Sequence, residues 1–137
     1  MCIEINWDAV SAISSSAAVI IALVALAGWK NQEKLKVKLD FKNAISAYSY
    51  CLMNFPSQLN TPLLRHDYRD KSRELADLIA KAGWAWFATE NLLKDKTDVV
   101  NAWKMLNDLH KNFLDGQANK QDCIEQCSII LKSPFVF

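Results

Sequence analysis

The chain has little of what metal sites, disulfide frameworks and catalytic centres are built from. Its 137 residues include two histidines, four cysteines, three glycines and three prolines. Cys123 and Cys127 stand one helical turn apart. A closed zinc site needs four ligands at characteristic spacings, and no second CxxC or HxxxH pair supplies the rest, so no metal is assigned. No glycine-rich phosphate loop is present and no cofactor is expected. His66 beside Asp67 is a weak nuclease-like pairing, and His110 falls in an apolar stripe and reads as a core histidine. Without a nucleophile beside a base, an enzyme is not expected. Scarce glycine and proline, with no alternating apolar pattern, exclude a β fold and leave an all-α one.

Charge is missing over one long stretch. From Ala9 to Trp29, twenty-one residues pass without an ionisable side chain. As a helix they reach about 31 Å, close to the hydrocarbon thickness of a bilayer. Trp7 and Trp29 bracket the stretch, and five lysines follow within thirteen residues: Lys30, Lys34, Lys36, Lys38 and Lys42. Only the α-amino group is basic before it. The positive-inside rule then places the head with Glu4 and Asp8 outside and the C-terminal part in the cytoplasm. A basic n-region is absent and Ala25 to Gly28 merge into a lysine-rich segment, so the stretch reads as an uncleaved anchor rather than a signal peptide. The expected organisation is a head over 1–8, a transmembrane helix over 9–29, a lysine-rich membrane-proximal helix over 30–55 and a cytosolic helical domain over 56–137, in all a bundle of about four helices after one span. The lysines fit topology and anionic lipid, and no DNA or RNA polymer is expected as partner. Cys2 lies on the outer side as a free thiol or a crosslink between two chains, and Cys51, Cys123 and Cys127 lie on the reducing side.

Within the span, small residues recur at steps of four and three: Ser11, Ser15, Ala18, Ala22 and Ala25. Small side chains let helix backbones approach closely in lipid, so this seam predicts a homo-oligomer. Ser11, Ser14, Ser15 and Ser16 make the outer half of the span polar, with hydroxyls that either line a pore or bond back to the helix's own carbonyls. Beyond the span, Phe41, Ile45, Tyr48, Leu52 and Phe55 share one helical face and Pro56 ends that helix. Thr61 and Pro62 open the next, whose buried face runs Leu64, Tyr68, Leu75, Ile79, Ala82 and Trp86. Thr97 and Asp98 open another, with Val99, Trp103, Leu106, His110 and Phe113 inward, closed by an αL cap at Asp115-Gly116. A last helix spans about Asn119 to Lys132 before Ser133-Pro134. Trp84, Trp86, Phe87, Trp103 and Phe113 are read as core, and the apolar tail from Pro134 docks on the domain, a partner or the membrane.

All three arginines of the chain fall at i, i+4 and i+8: Arg65, Arg69 and Arg73. On one helix they form a ridge of like charges that repel one another. Guanidinium forks suit phosphate and carboxylate, so Arg65, Arg69 and Arg73, with His66 beside them, are the candidate site for an anionic ligand, a nucleotide or an acidic protein. The alternative is a solvated basic edge or salt bridges to acids elsewhere in the fold.

A charge-free span, a lysine collar and a small helical cytosolic part resemble, in layout, the single-pass bacterial membrane proteins found among defence and mobile-element genes. That resemblance implies a place at the bacterial inner membrane and an oligomeric membrane-anchored effector whose cytosolic part senses a ligand, a cyclic oligonucleotide in some members, and then disturbs the membrane. It makes Arg65, Arg69 and Arg73 phosphate-facing and the Ser/Ala seam the part that rearranges. The alternative function is a non-enzymatic tether, or a small subunit of a larger inner-membrane complex.

Overall fold

A computed structural model describes residues 6–135. Cys2 and Glu4 of the expected head, and Val136 and Phe137 of the tail, lie outside the described residues. Among the described residues five helices are formed: α1 (Trp7–Met53), α2 (Pro62–Asp67), α3 (Arg69–Ala88), α4 (Thr97–Leu114) and α5 (Lys120–Lys132). No strand occurs among the described residues. Two compact units divide the chain between Lys34 and Leu35.

In the first unit, Asn6 caps the start of α1, its Oδ1 accepting from the amides of Asp8 at 3.2 Å and Ala9 at 3.3 Å. Asp8 in the first turn complements the helix dipole. Every side chain from Trp7 to Lys34 is exposed. An 18-residue window there has mean hydropathy 2.3 and none of it is buried. By length and composition α1 can cross a membrane. Complete exposure separates this stretch from the apolar helix of a soluble core, which hides its side chains.

The second unit begins inside the segment 30–55 that sequence analysis set apart, because the three-four spacing of Phe41, Ile45, Tyr48 and Leu52 gives α1 an apolar face and all four are fully buried. At one end, Phe41 packs on Trp86 at 5.1 Å and edge-on to Trp103 at 5.4 Å. At the other, Phe55 meets Tyr68 at 5.5 Å and Phe113 at 5.6 Å. These aromatic contacts join α1, α3 and α4, with α5 packed along α4. Val99, Leu106 and Phe113 of α4 and Cys123, Cys127 and Ile130 of α5 are fully buried. Thr61 Oγ1 caps α2 through the Leu64 amide at 3.2 Å, with Pro62 in the first turn. Asn119 caps α5. α4 ends in a Schellman motif: Gln117 N donates to Asn112 O and Gly116 N to Phe113 O, with Gly116 at φ +77°. Lys120 Nζ reaches back to the carbonyls of Met53 and Phe55 at 3.3 and 2.7 Å, placing a cation at the C-terminus of α1.

Several expectations need correcting. The helix expected from Thr61 through Trp86 is interrupted at Tyr68 (φ −98°, ψ 15°), so Arg65 belongs to α2 and Arg69 and Arg73 to α3. Trp84 and Phe87 are not core: they are 75% and 74% exposed, because Leu75 and Ala82 define the buried face of α3 and residues 84 and 87 lie off it. The lysine collar is not uniformly solvated. Lys38 is 3% exposed, and Lys42 donates to the Ser133 carbonyl at 2.9 Å and lies over the Phe135 ring. The tail docks on the domain, where Phe135 is 2% exposed and Lys96 Nζ also holds the Pro134 carbonyl. α4 starts at Thr97 as read, but with Lys96 at the cap position and no side-chain cap.

Candidate anion-binding cleft

Arg65, Arg69 and Arg73 come together although two helices carry them. All three line one cavity of about 320 Å³, with Ser72 between them and Leu59, Ala76 and Leu114 as its apolar walls. Tyr68 N donates to Leu64 O and Ser72 N to Tyr68 O, so helical bonding bridges the break and keeps the arginines near their i, i+4, i+8 phase. No carboxylate lines the cavity.

The three guanidinium groups are not equivalent. Arg65 is half-buried and donates from Nη1 to the Leu59 carbonyl at 2.8 Å. Gly116 underlies this contact: a Cβ added there would come within 2.3 Å of the Leu59 oxygen and 2.9 Å of Arg65 Nη1. Arg65 is therefore a fixed element of the wall with further N–H donors to spare. Arg69 and Arg73 are exposed, and among the described residues neither has an ion-pair or hydrogen-bond partner. Three adjacent cations facing a cavity without an acid suit a multiply charged anion. His66 is exposed on α2 and is not part of the lining. Leu59, Ser72 and Leu114 were not singled out from sequence, since their proximity depends on the chain's return through the 54–61 loop and the end of α4.

The remaining titratable groups of interest are interior. Tyr48 Oη donates to His110 Nδ1 at 2.9 Å in the tautomer whose proton is on Nε2, and both side chains are buried. Burial lowers the His110 pKa below its ordinary value, so the ring stays neutral. Burial also raises the Tyr48 phenol, with the thiols of Cys123, Cys127 and Cys51 adding to the shift. Cys123 is pushed up to about 11 and Cys127 to about 12, chiefly by burial. Such thiols are poor nucleophiles and poor metal ligands at neutral pH. No group of three or more His, Cys, Asp or Glu among the described residues could hold a metal ion.

In the span region, Ser14 and Ser16 donate to the carbonyls of Val10 and Ala12 at 2.9 Å each, the local back-bonding open to a helical serine. Ser11 and Ser15 make no such bond and, with Ala18, Ala22 and Ala25, are exposed along α1. Comparison with protein-family models, curated proteins and solved structures finds no match.

Proposed function

We propose that this protein is a non-enzymatic, single-pass protein of the bacterial inner membrane, anchored by the 9–29 stretch of α1 with its helical domain in the cytoplasm. In this reading the domain binds an anionic ligand in the arginine cleft, the spans self-associate along Ser11, Ser15, Ala18, Ala22 and Ala25, and ligand binding biases their packing, as in an antiphage effector. The observation that carries it is the wholly exposed, charge-free stretch of helix from Ala9 to Trp29. Leaving that much apolar surface in water costs tens of kcal/mol at about 25 cal/mol per Å². Ser11 and Ser15 keep hydroxyls available for a neighbouring helix, while Ser14 and Ser16 use theirs internally. Coupling requires that the ligand bind two span arrangements with different affinity.

The test is the mass of the detergent-solubilised full chain by light scattering. A defined oligomer, reduced to monomer by Ala18→Leu or Ala22→Leu, supports the reading. A monomer throughout removes the packing seam and with it any pore.

One observation favours a second reading, a tether for a larger complex. Trp84 and Phe87 form an exposed pair with ring centroids 6.3 Å apart, the kind of aromatic surface that anchors protein interfaces. Stable copurification of one defined protein, lost on Trp84→Ser or Phe87→Ser, together with harmless expression of the full chain, would favour the tether.

A further inference from the structure

We infer that the arginine cleft takes a phosphate monoester bearing a small apolar or ring group, a specification that rests on the anion-binding reading above. Charge comes first. Arg65, Arg69 and Arg73 line the cavity and no acid does. A monocarboxylate fills one guanidinium fork and leaves two cations facing each other, whereas a phosphate monoester dianion presents three terminal oxygens to three donor groups. Preorganisation comes second. Arg65 is held through Nη1 on the Leu59 carbonyl, packed against Gly116, so one of the three cations is already ordered before the ligand arrives. Arg69 and Arg73 have no competing partner among the described residues to give up.

The other walls decide what is attached to the phosphate. Leu59, Ala76 and Leu114 offer no hydrogen-bonding side chain, so the ester group meets them as apolar surface. A cavity of about 320 Å³ lies at the small end of ligand sites, enough for one phosphorylated ring and not for a chain of several.

The experiment is calorimetric titration of the full chain in phosphatidylcholine nanodiscs with phenyl phosphate, inorganic phosphate and benzoate, repeated for Arg69→Gln and Arg73→Gln. The expected result is phenyl phosphate binding about tenfold tighter than either other probe. Each variant should weaken it about tenfold, the worth of one charge-assisted hydrogen bond, without shifting the thermal unfolding midpoint. Equal binding of all three probes, lost in the variants, overturns the ester specification and leaves the anion site standing. No binding by any probe, or binding unchanged in both variants, overturns both. A parallel titration in discs containing phosphatidic acid distinguishes the two sources of such an ester: competition by that lipid identifies a bilayer headgroup, and unchanged phenyl phosphate affinity identifies a soluble one.

Discussion

Gly116 shows how one residue serves two structures. Its φ of +77° closes α4, and its missing side chain leaves room for the Leu59 carbonyl that holds Arg65. Gly116→Ala therefore combines left-handed backbone strain with a clash against main chain, at a cost of about 1–3 kcal/mol. Urea unfolding of the full chain in detergent should show that loss, and an unchanged midpoint would mean the carbonyl does not approach as described. His110 makes a second prediction, in pH. Its folded pKa is depressed, so below the unfolded value near 6.5 the unfolded chain binds a proton that the folded chain refuses. Stability should thus fall as pH drops from about 6.5 toward the folded pKa and level off beneath it. Urea midpoints at neutral and mildly acidic pH check this, and His110→Gln should flatten that part of the profile. The αL cap at Gly116 and the core place of His110 were legible in the sequence because both depend on local spacing. The approach of Leu59 to Gly116 was not, since it joins positions 57 residues apart.

Elements were legible where their ends carry side-chain chemistry. Thr61 with Pro62, and Asn119 before α5, are caps whose oxygen accepts a free amide, and both helices start there. The break at Tyr68 escaped reading because no glycine or proline marks it. Trp84 and Phe87 were misassigned for a different reason: burial of apolar residues is a one-way tendency, and the α3 face is set by Leu75 and Ala82. Lys38 and Lys42 look like the rest of the collar in sequence, and only the folded tail shows that Lys42 serves Ser133 and Phe135. That docking is testable. Phe135→Ala removes a ring that is 2% exposed and should destabilise the domain by about 3 kcal/mol, read as a lower thermal midpoint. A midpoint equal to that of the parent would show that the tail contributes no packing.

At the scale of the molecule, one helix carries both an apolar stretch without any buried side chain and four core residues of the second unit. The long apolar stretch of helix was legible because absence of charge over a bilayer's length needs no tertiary information. The cleft was legible only as an arginine spacing, since its apolar walls come from elsewhere in the chain. Residues 9–29 are proposed to span the membrane with the N-terminus outside. Cys2 precedes the span, Cys51 follows it half-buried, and burial keeps Cys123 and Cys127 protonated and inert. The most direct measurement is labelling of intact cells with a membrane-impermeant maleimide, comparing the parent with Cys2→Ser. The expected result is labelling that Cys2→Ser abolishes and that reappears at Cys51 once the cells are opened. Labelling of the parent only after lysis, with the protein washed from membranes by carbonate, would contradict it.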